Sequence, residues 1–158
     1  MANREAPIVC LDTNVFISAL RGNEKESKLC QDVLLEARDG VFRAVTSTLG
    51  VVETVHVSKE EVADEDLKEM IKNLYTQPWL TFWNLDFPIA TESNRLYRQY
   101  RGGKKNSPHD TIYVATAMVC RASYVFTLDQ AFIRRFDSNQ ENISVVLPFL
   151  FTQQMKLF

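Results

Sequence analysis

Short apolar runs alternate along the chain with stretches of helical periodicity, and this alternation constrains the fold more than any other feature. The first run, residues 7–11, ends at Asp12 and is typical of a strand buried on both faces of a sheet. Strands that alternate with helices form crossover units around a parallel sheet. The pattern therefore predicts an α/β fold of three α/β/α layers with a central, mainly parallel, twisted sheet.

Five strands and seven helices are predicted in this alternation. The strands cover residues 7–11, 42–46, 80–85, 124–127 and 143–147. The helices cover residues 13–20, a stretch from Leu29 that stops before Asp39, and residues 48–57, 59–76, 88–100, 108–121 and 130–136. No repeat or linker interrupts the pattern, so residues 1–158 are predicted to form a single domain.

Composition limits the classes of function. The 158 residues carry 18 basic and 20 acidic side chains, a formal charge of −2, which excludes a polycationic nucleic-acid arm or an acidic tail as the main feature. Cys10, Cys30 and Cys120 form no close pair, which favours buried reduced thiols over a disulfide scaffold or thiolate zinc site. No signal sequence or membrane span is apparent, so we expect a soluble, cytoplasmic protein.

Three aspartates lie at the end of a predicted strand or at the start of a predicted buried helix. Asp12 and Asp129 each follow a predicted strand, so both are expected at the carboxyl edge of the sheet, where ligands bind. Each also precedes a helix, and the alternative for both is a helix N-cap. Asp110 is the third residue of an almost wholly apolar helix that begins after Ser107, so its carboxyl group is expected to face the interior or a cleft.

Glu53 interrupts an otherwise mainly apolar helix and shares a face with Leu49 and Val57. The alternative is an exposed glutamate on an amphipathic helix. Four sheltered acids repel one another unless a cation neutralises them, and clustered carboxylate oxygens suit Mg²⁺ or Mn²⁺. His56 and His109 are not spaced for zinc, and we expect them to be structural or to support the site from outside the metal ligands.

Four short motifs stand in order around these acids. Residues 8–16 read IVCLDTNVF, a buried strand ending in Asp-Thr-Asn, and residues 46–53 read TSTLGVVE, with a Ser six residues before the Glu. The stretch 110–129 contains VATA at 114–117 and FTLD at 126–129. Together, in this order and spacing, the motifs resemble those of the PIN-domain nucleases, particularly the VapC-like ribonuclease toxins. The resemblance covers residues 8–136, most of the chain.

The resemblance implies a PIN-like α/β/α fold, one or two bound Mg²⁺ or Mn²⁺ ions, and endonucleolytic hydrolysis of RNA by direct attack of water. Four residues match the family's catalytic, metal-binding acids: Asp12, Glu53, Asp110 and the more variable Asp129. Asn14 and Thr127 match polar residues that support such a site by hydrogen bonding. The likeness to the toxins also implies an antitoxin partner and a homodimer, although other PIN-domain proteins have neither.

Two residues depart from the family's pattern. Thr111 follows the third acid where Ala is frequent, and Leu128 lies between Thr127 and Asp129 where a polar or basic residue is common. The core acids are intact, so the departures bear on the orientation of Asp129.

A basic stretch leads directly to Asp110. Residues 94–108 contain no acid, and the glycines at 102 and 103 would let the backbone approach a phosphate closely. Four residues of this stretch are the predicted RNA contacts: Arg98, Arg101, Lys104 and Lys105. A solvated helix face and loop is the alternative, and Arg134 with Arg135 is a second candidate.

Two other functions fit parts of the sequence. A PIN-fold module that has lost catalysis would bind RNA or a protein without turnover. A metal-dependent phosphatase of the haloacid dehalogenase type also places an Asp after the first strand, but it usually requires Asp-x-Asp, and Asn14 occupies the second position here. Several apolar residues would either form an interface or complete the core: Trp79, Trp83, Phe149, Leu150, Phe151, Leu157 and Phe158.

Overall fold

A computed structural model describes residues 6–22, 25–54, 64–100, 107–136 and 141–155, and its centre is a parallel sheet. The five strands are β1 (Ile8–Leu11), β2 (Arg43–Ser47), β3 (Leu80–Trp83), β4 (Tyr124–Phe126) and β5 (Ser144–Val146). The helices are α1 (Thr13–Arg21), α2 (Ser27–Arg38), α3 (Leu49–Thr54), α4 (Asp64–Tyr75), α5 (Phe87–Gln99), α6 (Pro108–Val119), α7 (Gln130–Arg135) and α8 (Phe151–Met155). The predicted α/β fold is confirmed, and every strand pairing is parallel.

The strand order, β3-β2-β1-β4-β5, places β1 at the centre of the sheet. The chain runs outward from β1 through β2 to β3, and β4 and β5 then extend the sheet on the other side of β1. The crevice between the carboxyl ends of β1 and β4 is therefore the switch point at which sheets of this class bind ligands. Leu11 is in register with Phe126, so the residues that follow them, Asp12 and Thr127, emerge side by side.

Two apolar clusters cover the two faces of the sheet. Val9 and Leu11 pack with residues of α1 and α2 on one face, whereas Cys10 packs with residues of α5, α6 and α7 on the other. These three side chains of β1 are fully buried. Burial on both faces explains why this strand is a continuous apolar run rather than an alternating one.

Most strands and helices begin and end close to the predicted residues. The helix α8 was not predicted. Phe149 and Leu150 just before it and Phe151 at its start pack against the cluster that contains Val9 and Leu11. Trp79 and Trp83 also pack against the core. The core role considered for these residues is thus confirmed. Leu157 and Phe158 lie outside the described residues, as do residues 55–57 and 59–63 of two predicted helices.

The three cysteines are free and buried, as predicted. Among the described helices, none combines the length and the hydrophobicity needed to cross a membrane.

Candidate active site

Asp12 lies where β1 ends, and its carboxylate is held by two polar side chains. Thr127 donates a hydrogen bond to Asp12 Oδ2 at 2.6 Å, and the Asn14 amide donates to the same oxygen at 2.9 Å. Asn14 also accepts a bond from the backbone N–H of Leu128 at 3.0 Å, so its amide is fixed at both ends. These bonds join the carboxyl ends of β1 and β4. The structure thus brings together Asp12, Asn14 and Thr127.

The helix-cap alternative separates the two strand-end aspartates. Asp129 is a cap: its Oδ1 accepts hydrogen bonds from the backbone N–H groups of Ala131 at 2.8 Å and Phe132 at 3.1 Å. Asp12 precedes α1, but its side chain accepts no capping bond from the described residues of that helix. The carboxylate of Asp12 is instead held by side chains, those of Thr127 after β4 and of Asn14 in the first turn of α1.

Glu53 is held by hydroxyl groups from two other elements. Thr13 and Tyr113 each donate a hydrogen bond of 2.6 Å to Glu53 Oε2, and their hydroxyl groups also contact each other. His109 Nδ1 lies 2.9 Å from the other carboxylate oxygen, Oε1. His109 thus contacts a predicted site acid, as expected for a supporting residue, whereas His56 lies outside the described residues.

Gly50 lets α3 approach this hydroxyl cluster. A Cβ atom at this position would lie 3.1 Å from Thr13 Oγ1 and 3.4 Å from Tyr113 Oη, which is tighter than ordinary packing.

Sequence reasoning missed both Thr13 and Tyr113. The available signal was their position, since Thr13 follows Asp12 directly and Tyr113 stands one helical turn after Asp110.

Asp110 contacts an arginine from α7. Arg135 Nη2 lies 2.6 Å from Asp110 Oδ2, and both side chains are largely buried, with 16% and 14% of their surface exposed. Oδ2 is buried and accepts no hydrogen bond from the described residues, so the contact is an ion pair without hydrogen-bond geometry. Ser107 caps α6 by accepting a bond from the His109 N–H at 3.2 Å, as predicted.

The four acids influence one another electrostatically. Burial is the main cause that raises the pKa of Asp12 to about 7, and the charges of Glu53 and Asp110 raise it further, against the hydrogen bond from Thr127. Burial likewise raises the pKa of Asp110 to about 6; Arg135 opposes this increase, whereas Asp129 and Glu53 add to it. Asp12 and Asp129 follow neighbouring strands at the carboxyl edge of the sheet, and Glu53 and Asp110 are close enough to interact with them electrostatically.

The donor set at this edge fits a hard divalent cation. It consists of carboxylate oxygens that disfavour one another's ionised forms, and one of them, Asp110 Oδ2, lacks a hydrogen bond among the described residues. In the described part of the chain, no three His, Cys, Asp or Glu side chains are already arranged to hold a metal ion.

The two departures from the family's motifs have local explanations. Thr111 is buried, and its hydroxyl group is 2.7 Å from that of Ser93, which joins α6 to α5. Leu128 contributes its backbone N–H to Asn14, while its side chain packs on the core. Neither departure removes a contact of Asp12.

The predicted RNA contacts are described only in part. Arg98 is exposed on the last turn of α5, whereas Arg101, Lys104 and Lys105 lie outside the described residues. Arg95, which precedes them, forms ion pairs with Glu92 at 2.6 Å and Glu141 at 3.0 Å. The stretch contains no acid of its own, but Glu92 and Glu141 from outside it neutralise one of its arginines.

Comparisons with known proteins agree on one fold. A family model described as the PIN domain matches residues 9–137. No curated protein sequence matches the chain.

Several solved structures resemble the chain at low sequence identity. VapBC2 from Rickettsia felis, bound to a DNA fragment from its promoter, has a TM-score of 0.66 and 14% identity over 89% of this chain and 98% of that one. A toxin–antitoxin complex from Klebsiella pneumoniae has a TM-score of 0.60 and 18% identity over 89% and 98%. DNA-bound VapBC from Salmonella typhimurium has a TM-score of 0.66 and 17% identity over 90% of this chain and 99% of that one.

Proposed function

The chain belongs to the PIN domain family, and from this premise we propose that it is a metal-dependent endoribonuclease that hydrolyses RNA phosphodiester bonds. The observation that carries the proposal is the meeting of four acids from separate parts of the chain at one sheet edge, where two of them have raised pKa values. Perturbed acids gathered at the ligand-binding edge of an α/β sheet are typical of a catalytic site.

The proposed roles follow from the contacts of each acid. Asp12, Asp110 and Asp129 hold a Mg²⁺ or Mn²⁺ ion, and Glu53 holds a second ion or orients the attacking water. Thr127 and Asn14 keep the Asp12 carboxylate pointed into the crevice. A bound divalent ion supplies activation of water and stabilisation of charge on the phosphoryl oxygens.

Glu53 is suited to orient a water molecule because its own orientation is fixed. Hydrogen bonds from Thr13 and Tyr113 hold Oε2, while Oε1 faces the half-exposed His109 among the residues that the structure describes. Water attack needs no protein nucleophile and no covalent enzyme intermediate. Asn14 also favours this chemistry over that of an aspartyl phosphatase. Such enzymes need a second acid two residues after the first, and here that position is Asn14, whose amide binds Asp12 instead.

The test is RNA cleavage by the purified protein with Mg²⁺, Mn²⁺ or EDTA. We expect Asp12→Asn and Asp110→Asn to lower the rate by more than about 100-fold, beyond the usual effect of losing a residue that only supports a metal ligand. Asp32→Asn on α2, whose side chain pairs with Lys28, is the matched control and should keep its activity. RNA binding without cleavage by the unaltered protein would instead favour the inactive binding module, and a labelled phosphoenzyme would favour the phosphatase.

We propose that Arg98, Arg101, Lys104 and Lys105 hold the RNA strand beside this edge. Charge reversal at Lys104 and Lys105 should weaken RNA binding and flatten its dependence on salt, because fewer counterions are then released. Binding is measured between about 50 and 200 mM salt. An unchanged slope would remove these lysines from the interface.

We further propose that the chain is the toxin of a toxin–antitoxin pair and forms a homodimer. The support is that one structural neighbour is a toxin–antitoxin complex and two others are VapBC assemblies. Induced expression should arrest growth of the host cell, and Asp12→Asn should abolish the arrest. Light scattering of the purified protein measures the oligomeric state, and a monomer at micromolar concentration would contradict the dimer.

A further inference from the structure

An arginine lies inside the proposed carboxylate site. Arg135 stands on the last turn of α7, the helix that Asp129 caps, and Arg135 Nη2 is 2.6 Å from the buried Asp110 Oδ2. Arg135 Nε donates a hydrogen bond of 3.2 Å to the Ala131 carbonyl within the same helix. The same short helix therefore brings both an acid and a cation to the sheet edge.

The contact between Arg135 and Asp110 is an ion pair that lacks hydrogen-bond geometry. A strong arginine–carboxylate pair uses two parallel hydrogen bonds, whereas Asp110 Oδ2 accepts none from the residues described. The guanidinium group keeps its proton at all physiological pH values, so it does not leave the site by losing its charge. A second cation that binds the same carboxylate would displace it by charge repulsion.

We propose that Arg135 and the divalent ion compete for Asp110 Oδ2, so that Arg135 neutralises the acids while the ion is absent and sets the metal concentration at which the site loads. This inference rests on the proposed metal-dependent function. A guanidinium group and a divalent cation repel each other strongly at one buried oxygen. Loading therefore moves the Arg135 side chain away from Asp110.

Neighbouring arginines on α7 provide a matched test. Arg134 carries the same charge on the same turn, but its side chain is exposed, whereas that of Arg135 is largely buried against Asp110. Mn²⁺ binding to the full chain is measured by electron paramagnetic resonance of the free ion at pH 8. We expect Arg135→Gln to bind Mn²⁺ about 5- to 30-fold more tightly, and Arg134→Gln to stay within about 2-fold of the unaltered protein.

Asp110→Asn separates direct competition from a general effect of charge. In that background, Arg135→Gln should change Mn²⁺ affinity by less than about 2-fold, because the contested carboxylate is gone. Equal or weaker Mn²⁺ binding by Arg135→Gln in the otherwise unaltered chain overturns the inference alone. An unaltered protein that binds no Mn²⁺ at millimolar concentration overturns both the inference and the proposed metal site.

A second measurement follows Arg135 directly in the unaltered protein and uses a variant only to assign the signal. The ¹⁵N NMR signal of the Arg135 Nε–H group, assigned by its loss in Arg135→Lys, should move on addition of Mg²⁺ and saturate with the binding isotherm. The Arg134 signal should remain in place. A stationary Arg135 signal at saturating Mg²⁺ would mean that the guanidinium group does not move away, and the competition would be refuted.

Discussion

Asp12 combines two properties that oppose each other in a folded protein, burial and negative charge. Only 8% of its surface is exposed, and two other site acids add their charge to its surroundings. Hydrogen bonds from Thr127 and Asn14 favour the ionised form but do not cancel these effects, since the pKa of Asp12 is still raised to about 7. In the metal-free protein the ionised carboxylate of Asp12 therefore lowers the stability of the fold, as expected of a residue retained for the proposed metal site.

Asp12→Asn should stabilise the metal-free protein, and more at pH 8 than at pH 5. The folded protein holds the Asp12 proton up to a pKa of about 7, whereas an unfolded Asp releases it near about 3.9, so the original carboxyl loses stability as the pH rises through this window. We expect the advantage of the Asn variant to grow by about 2–4 kcal/mol. Urea unfolding in EDTA at the two pH values measures it, with Asp32→Asn as control. An advantage independent of pH would contradict the assignment.

Tyr113 is predicted to act through Glu53. Tyr113→Phe removes the hydroxyl group that donates to Glu53 Oε2, so the carboxylate loses one of its two fixed donors. We expect RNA cleavage to fall about 10- to 100-fold, with a loss of about 1–3 kcal/mol in unfolding free energy. The rate is measured at saturating RNA and metal.

Tyr100→Phe is the matched control for this change. It also removes a tyrosine–glutamate hydrogen bond, the 3.3 Å contact with Glu141, but away from the four acids. Its cleavage rate should be unchanged. Equal losses of activity in the two variants would show that Tyr113 contributes stability rather than the positioning of Glu53.

Elements whose signals lie within their own residues were predictable from the sequence. The apolar run of β1 and the Ser107 cap of α6 are examples, because burial on both faces and helix capping each leave a local pattern. The short helix α8 left no such pattern. Its first backbone N–H groups are bound by Glu36, 115 residues earlier in the chain, and contacts of that separation are invisible to periodicity.

The same distinction applies to the candidate site. Asp12, Asp110 and Asp129 could be named because strand ends and helix starts are visible locally, and Glu53 because it interrupts an apolar helix. Tyr113 is 60 residues from Glu53, and the partner of Asp110 proved to be Arg135 on another helix. These pairings depend on how the helices pack on the sheet, which a single sequence does not specify.

Glu36 is expected to anchor α8. Its carboxylate accepts bonds from the backbone N–H of Phe151 at 2.8 Å and of Thr152 at 3.0 Å, and from the Thr152 hydroxyl group. A helix of five residues is too short to be stable alone. Glu36→Ala should therefore lower the unfolding free energy by about 2–3 kcal/mol and speed hydrogen exchange at residues 151 and 152.

Glu26→Ala provides the comparison for this loss. Glu26 is exposed at the start of α2, where its side chain makes no capping bond with the described residues, and the change should stay within about 0.5 kcal/mol. Chemical denaturation measures both variants. Equal stabilities would show that α8 is held by its apolar contacts alone.

At the scale of the whole molecule, the topology gathers charge that the net value conceals. The formal charge of −2 averages six acids between residues 60 and 69, the site acids and the basic stretch 95–105. The central position of β1 brings the acids of distant segments to one crevice. Near-neutrality is therefore compatible with a nucleic-acid substrate, and it predicts a modest electrostatic contribution to RNA affinity that depends on metal at the carboxylates.

Metal binding should stabilise the whole fold, and more at pH 8 than at pH 6. Metal ligands must be deprotonated, and the pKa values of Asp12 and Asp110 are raised to about 7 and about 6, so protons compete with the ion at the lower pH. At about 100 times its dissociation constant, Mn²⁺ adds about 2.7 kcal/mol, which raises the Tm of a domain of this size by about 5–10 °C. Differential scanning fluorimetry with Mn²⁺ or EDTA measures the shift. Asp110→Asn should lose most of it, while a shift of the same size in that variant, or at both pH values, would place the bound ion away from these carboxylates.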